Sequence, residues 1–373
     1  MNVVLFAGGK SGEHEISLVS CAALARAISS AHQVRLITIS KSGRWYLEDS
    51  AVLEELRTNP DATLSVHEDA AAEVKVSFAL GKDKAFFARG GYIPCDVAFA
   101  VLHGTYGEDG TIQGVFEMAG VPYAGCSVLS SALAMDKESA KLILQSAGLP
   151  VVPFVCIRRS DTSHLDEALA GAADKLGFPL FVKPCAAGSS DGASRACTQQ
   201  ELAAAAEEAF TWDDKILVEK AIDAREIECS VTGCSVTENA LSPCTKVRSY
   251  GPGEIVPTHG FYDYDAKYTD PDGALLQVPA RLPPDMLATI KDLAVKAYRA
   301  ISASGLSRVD FFVDKGTGTI YLNEINTMPG FTSISMFPKL CAAEGLGFTQ
   351  LVDLLLDQAV AGFEAKAHLR TQR

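Results

Sequence analysis

Ser307-Arg308-Val309-Asp310-Phe311-Phe312-Val313, the turn Asp314-Lys315-Gly316-Thr317-Gly318, and Thr319-Ile320-Tyr321-Leu322-Asn323-Glu324-Ile325-Asn326 lead into Met328-Pro329-Gly330 near the end of the chain. Both arms are rich in β-branched and aromatic residues, and the link between them is turn chemistry, so the stretch reads as a β-hairpin. With a loop over residues 314–318, Val313 faces Thr319, Asp310 faces Leu322 and Arg308 faces Glu324. Side chains alternate faces with a period of two, which puts Arg308, Asp310, Glu324 and Asn326 on one surface. Two readings of that surface are open. Oxygen ligands beside a guanidinium suit Mg²⁺ and phosphate. A cross-strand Arg308–Glu324 salt bridge beside solvated acids is the plainer account.

Outward from this hairpin, 373 residues allow two or three domains. A hydrophobic content of 48% supplies a large core, and a net charge of −13 excludes nucleic acid and anionic membrane as main partners. Small anionic substrates stay open, because a local cluster of Lys and Arg overrides the global sign. The ten cysteines form no C-x-x-C pair and no zinc-spaced cluster, as in a cytosolic protein with reduced thiols. Met1–Ala7 lacks a basic n-region, and no stretch approaches the roughly 20 apolar residues of a membrane span. A cytoplasmic protein is expected.

Val3–Ala7, bounded by Gly8-Gly9, reads as a buried parallel strand. Gly9-Lys10-Ser11 resembles the end of a phosphate-binding Walker motif, but Val4 stands where its first glycine belongs. The helix that follows carries Glu15 in its first turn, where the helix dipole alone accounts for a carboxylate. Val34–Ile39 and Asp96–Leu102 read as further strands, and residues 41–90 as a helix with an edge hairpin. His103-Gly104 and Gly107-Glu108-Asp109-Gly110 lie past a strand's C-terminal end, where open α/β sheets collect functional groups. Asp136-Lys137 opens a helix. Lys183 ends a strand and precedes a loop of small residues, Cys185 to Gly192, suited to wrapping phosphate. Lys215–Lys220 and Glu226–Val231 are strands. The segment from Pro257 to Tyr268, dense in aromatics and acids, reads as a lid.

These motifs, in this order, resemble the D-alanine–D-alanine ligases of the ATP-grasp superfamily. They comprise Gly9 to Ser17, His103-Gly104 with Gly107 to Gly110, Met135-Asp136-Lys137, and Lys183-Pro184 with Gly188-Ser189-Ser190. The Phe261–Tyr268 loop and Arg308-Val309-Asp310 through Gly330 complete the set, so the likeness runs from about residue 3 to 360. It implies an α/β fold with α+β character in its C-terminal part. Residues 1–130 would form a doubly wound parallel-sheet domain, 131–224 a central ATP-grasp domain, and 225–373 a C-terminal ATP-grasp domain with the lid and the hairpin.

The implied reaction joins two D-alanines through a D-alanyl phosphate, with ATP giving ADP and phosphate, for peptidoglycan precursors. Carried over by residue, Lys137 and Lys183 would touch the ATP phosphates, and Lys267 the γ-phosphate. Glu219, Lys220 and Ile222 would line the adenine pocket, with Glu226 on the ribose. Asp310, Glu324 and Asn326 would hold two Mg²⁺ ions, for which Mn²⁺ substitutes. Glu15 would pair with the ammonium of the first D-alanine, near His103, and Ser189 and Tyr268 would link Glu15 to the lid. Arg308 and the Gly330 N–H would form the oxyanion site, and Ser335 and Met336 would receive the second carboxylate. The family's habit implies a homodimer.

The chain departs from the family's pattern in the phosphate loop, where Ala186-Ala187 replace larger polar residues and Asp191 an aliphatic one. Cys185 in that loop reads as a buried small side chain rather than a reactive thiol. D-Lactate as second substrate is disfavoured by the Tyr268 type of lid. D-Serine, one hydroxyl larger than D-alanine, is the nearer rival. A non-catalytic ATP-binding regulatory protein is the alternative from another class; it would lack Lys267, Arg308 or a magnesium ligand, and all are present.

Overall fold

The computed structural model describes residues 1–78, 80–237, 243–257, 274–332, 334–366 and 369–370. Its first sheet orders the strands Trp45–Leu47, Gln33–Ile39, Asn2–Gly8, Val97–Ala100 and Tyr123–Ala124. The last four run parallel, and Trp45–Leu47 adds an antiparallel edge. Asn2–Gly8 is apolar throughout because both its faces are covered. Val3, Leu5 and Ala7 pack with the helix His14–Ala27, while Val4 and Phe6 pack with Ile112 and Phe116 of Thr111–Ala119. Residues 41–90 hold the expected helix, Ser50–Thr58, but the edge hairpin is a separate small sheet of Lys75–Val76, Phe86–Ala88 and Gly91–Ile93.

A second sheet, fully antiparallel, orders Ser194–Ala196, Leu180–Pro184, Lys215–Lys220 and Phe154–Arg158. Helices Leu165–Leu176 and Gln199–Trp212 bury Leu169, Leu202, Ala206 and Phe210 against its Leu180, Val182 and Val218. The third sheet orders Ala274–Gln277, Arg248–Pro257, Ala224–Cys234, Ser304–Asp314 and Ile320–Asn326, all antiparallel. Helix Pro284–Ala300 packs Ile290, Ala294 and Tyr298 on one of its faces. The pieces interlock. Phe331, Phe337 and Leu351 join the core beneath the first sheet, and Leu322 N–H donates to the Pro150 carbonyl at 2.7 Å.

The hairpin Ser304–Asp314/Ile320–Asn326 differs from its expected register. Val313 pairs with Ile320 and Phe311 with Leu322, and after a β-bulge Asp310 pairs with Glu324 and Arg308 with Asn326. The turn therefore opens one residue out of step with a loop over 314–318. Continued without interruption, that ladder would set Asp310 against Asn323 and Arg308 against Ile325, turning Glu324 and Asn326 to the other face. The extra residue, Asn323, restores the parity. Arg308, Asp310, Glu324 and Asn326 do share one face, through a bulge that alternation alone does not reveal.

Candidate active site

One cavity of about 1750 Å³ lies between the two antiparallel sheets and reaches the C-terminal edge of the first sheet. Lys137, Lys183, Glu219, Lys220, Ile222 and Glu226 line it, as do His103, Ser189, Arg308 and Gly330. Asp310, Glu324, Asn326, Ser335 and Met336 complete the group that the structure brings together. Lys267 and Tyr268 lie outside the described residues.

Glu15 is not in this cavity. It is exposed and pairs with Lys41 at 2.5 Å, which, with the helix backbone, holds its carboxyl below the ordinary range. The acid that reaches the cavity is Glu13, at the N-cap of His14–Ala27 and 8% exposed. On a helix, residues two apart point about 200° away from each other, so a one-turn motif with two glutamates directs only one of them inward. The Ser189 hydroxyl accordingly donates to Glu13 and not to Glu15.

His103 is buried beside this acid. Its Nδ1 lies 3.1 Å from the Met328 carbonyl oxygen and its Nε2 3.0 Å from Ser20 Oγ. Burial opposes charging of the ring, but Glu108 and Glu13 outweigh it and raise the imidazole above its ordinary value.

At the small-residue loop the cavity is lined by two lysines, Lys137 and Lys183. Lys137 opens the helix Lys137–Ser146, whose N-cap Asp136 accepts from Ser139 N–H. Its Nζ donates to the Ala187 carbonyl at 2.7 Å, and burial lowers its pKa while Glu324 partly offsets this. Lys183 closes the strand Leu180–Pro184 and lies 2.8 Å from Glu219 Oε2 and 3.2 Å from Asn323 Oδ1. Burial disfavours its charge, yet Glu219 and Glu324 hold its pKa above the ordinary range. Glu219 is only 2% exposed, and its carboxylate meets two lysines. Its other oxygen meets Lys141 at 2.8 Å, a buried lysine absent from the motif reading. Burial would raise the Glu219 pKa; Lys141 and Lys183 together hold it low.

The loop between these groups is pinned from below. Cys185 N–H donates to Lys215 O at 2.9 Å and Ala186 N–H to Asp213 Oδ2 at 2.7 Å. Ser189 and Ser190 have φ of 49° and 66°, the left-handed region non-glycine residues rarely enter. Gly192, φ 66°, lies so close to Trp212 that a Cβ would stand 2.5 Å from its ring. Asp191 is half-buried and lines the cavity. Cys185 is fully buried, and the adjacent Cys156 thiol together with burial pushes its pKa far up, which makes it inert.

On the hairpin, Arg308 donates to both oxygens of Asp310 at 2.7 Å and lies 3.1 Å from Glu228, while Glu324 adds to the field that favours its charge. Burial opposes the Arg308 charge, but Asp310 and Glu228 raise its pKa well above the ordinary value. Asn326 Nδ2 donates to Asp310 Oδ2 at 2.8 Å. Among the described residues no three His, Cys, Asp or Glu side chains converge. Two carboxylates and an amide oxygen fit a hard cation that takes the rest of its shell from phosphate and water. Ser335 stands at the N-cap position of Met336–Ala343 without a side-chain cap, and its Oγ instead accepts from Thr332 N–H at 3.1 Å beside Gly330.

The comparisons agree along the whole chain. The family models for the D-ala D-ala ligase N-terminus and C-terminus match residues 2–126 and 143–357. D-alanine–D-alanine ligases of Treponema denticola and Thermoanaerobacter pseudethanolicus are 50% and 42% identical, covering 100% and 97% of this chain and the same shares of their own. The solved D-alanine–D-alanine ligase of Coxiella burnetii superposes with a TM-score of 0.80 at 32% identity, covering 98% of this chain and 97% of its own. The D-Ala:D-Ser ligase of Enterococcus faecalis reaches the same TM-score at 36% identity, covering 96% of this chain and 100% of its own. With the ATP-grasp sheets, both family models and full-length relatives in agreement, the chain belongs to the D-alanine–D-alanine ligase family.

Proposed function

We propose that the protein joins two D-alanine molecules, driven by ATP, in the synthesis of peptidoglycan precursors. The observation that carries this reading is one cavity holding phosphate-suited lysines, Lys137 and Lys183, beside the Arg308/Asp310/Glu324/Asn326 face, with Glu13 reaching it through Ser189. A carboxylate is a poor acyl donor, so an oxygen of the first D-alanine attacks the γ-phosphorus of ATP, and ADP leaves. The amine of the second D-alanine attacks the acyl carbon; phosphate departs, and the nitrogen gives up its proton.

Glu13, in place of Glu15, receives the first ammonium, with His103 fixing the floor beside it. Lys137 and Lys183 hold the phosphates, and Lys267 reaches the γ-phosphate from the lid. Lys220 and Ile222 border the adenine and Glu226 the ribose. Asp310, Glu324 and Asn326 would hold Mg²⁺, or Mn²⁺, which would neutralise phosphate charge when bound. Arg308 and the Gly330 N–H meet the tetrahedral oxyanion, where a preorganised donor is worth about 3 kcal/mol. Ser335 and Met336 receive the second carboxylate, and Tyr268 and Ser189 tie the closed lid to Glu13. The domain boundaries at about 130 and 224, a homodimer and a cytoplasmic location belong to the same reading.

The test is ADP release with ATP, Mg²⁺ and D-alanine, with products identified by mass. D-alanine-dependent ADP release with a dipeptide of two D-alanines is expected, and its absence overturns the proposal. D-Serine as second substrate is the second reading, favoured by the fold shared with the E. faecalis D-Ala:D-Ser ligase. Competition between D-alanine and D-serine in the same assay decides between them.

A further inference from the structure

Lys141 is buried, 1% exposed, and absent from the lining of the cavity. It sits one turn beyond Lys137 on Lys137–Ser146, on the same helix face. Its Nζ meets Glu219 Oε1 at 2.8 Å and lies 5.9 Å from the Phe154 ring centroid. The second oxygen of Glu219 meets Lys183 at the same 2.8 Å, and Lys183 goes on to Asn323, the bulge residue beside Glu324. Each oxygen of one carboxylate is thus committed to a different ammonium. A buried amine is unfavourable unless paired, and an apolar side chain of similar volume would fill the space under Phe154 at no such cost. The charge therefore calls for an account beyond packing.

We infer that Lys141 is a positioning residue, which sets the reach of Lys183 towards the phosphate chain by occupying the far oxygen of Glu219. The inference rests on the ATP-dependent reading of the cavity. With Lys141 in place, Glu219 can offer Lys183 only one oxygen, and the trio carries a net positive charge facing the phosphates. Without it, both oxygens turn to Lys183, chelate its ammonium and cancel that charge. The same movement pulls Lys183 away from Asn323, and so uncouples the central sheet from the hairpin. Loss of Lys141 therefore acts on nucleotide binding, while Glu13 keeps its Ser189 partner.

A double-variant cycle tests this, with ATP affinity titrated in the absence of D-alanine and thermal melting followed without nucleotide. Lys141→Met is expected to weaken ATP binding about tenfold and to leave the KM for D-alanine within about twofold. In a Glu219→Gln background, adding Lys141→Met is expected to change ATP affinity by less than about twofold, because the relay is already cut. An equal loss in both backgrounds would mean that Lys141 attracts ATP directly and would overturn the relay. So would a KM for D-alanine that rises in step with the loss of ATP affinity, or no loss of ATP affinity at all. If Lys141→Met alone does not fold, Lys141→Gln takes its place in both arms of the cycle with the same expected outcomes. Failure of the ligase reading is separately visible, as wild-type ATP binding without D-alanine-dependent ADP release.

Discussion

At the residue scale, the contrast between Glu13 and Glu15 separates two acids that a motif cannot. Glu13 faces Ser189 in the cavity, whereas Glu15 pairs with Lys41 in solvent. On the proposed role of Glu13, Glu13→Gln removes the partner of the substrate ammonium, and kcat/KM for D-alanine should fall roughly a hundredfold. Glu15→Gln should stay within twofold of wild type and shift stability by less than about 0.5 kcal/mol, because solvent screens its pair. Steady-state kinetics and melting of both variants check the assignment, and the opposite ranking would return the role to Glu15. Residue types were legible in the sequence here. The direction of each side chain was not, since it depends on the helix starting at His14. Lys141 was missed for a similar reason: a lysine four residues past Lys137 reads as solvated until the central sheet closes over it. The i, i+4 spacing was the one available signal.

At the scale of elements, the phosphate loop and the hairpin behave differently. The hairpin was legible as strand, turn and strand, and the same four residues share a face. Its register was not, because the Asn323 bulge answers to pairing along the whole ladder. The loop departs from its family's composition at Ala186, Ala187 and Asp191, yet its anchors at Asp213, Lys215 and Trp212 come from the next helix and strand. Gly192 is where that anchoring is tightest. Gly192→Ala forces a left-handed φ on a residue with a Cβ and pushes it into Trp212, which should cost about 1–3 kcal/mol. Trp212 is half exposed, whereas the other tryptophan, Trp45, packs on Phe6 in the first sheet's core. The variant should therefore melt earlier, raise the KM for ATP and shift tryptophan emission. An unshifted spectrum with wild-type KM would show that the loop does not depend on this contact.

Across the whole molecule, His103 ties the end of the strand Val97–Ala100 to the Met328 carbonyl beyond the hairpin. Its folded pKa stands above the ordinary 6.5, so the charged ring adds stability that is fully present below that value. The contribution is lost as the pH rises through the folded pKa. The melting temperature should thus decline above pH 6.5, and His103→Gln should flatten that part of the profile; an equally steep decline in the variant would assign it elsewhere. By itself the sequence determined the order of the motifs, the strands that are apolar on both faces, and the donor and acceptor types available for phosphate and cation. These are local properties, set by spacing and side-chain chemistry. Only the tertiary structure decided which glutamate of the first turn points inward, which strand register sets Arg308 against Asn326 and Asp310 against Glu324, and which buried lysine shares Glu219 with Lys183. Those outcomes depend on helix phase, on a bulge and on charges meeting across separate elements, none of which is fixed until the sheets are packed together.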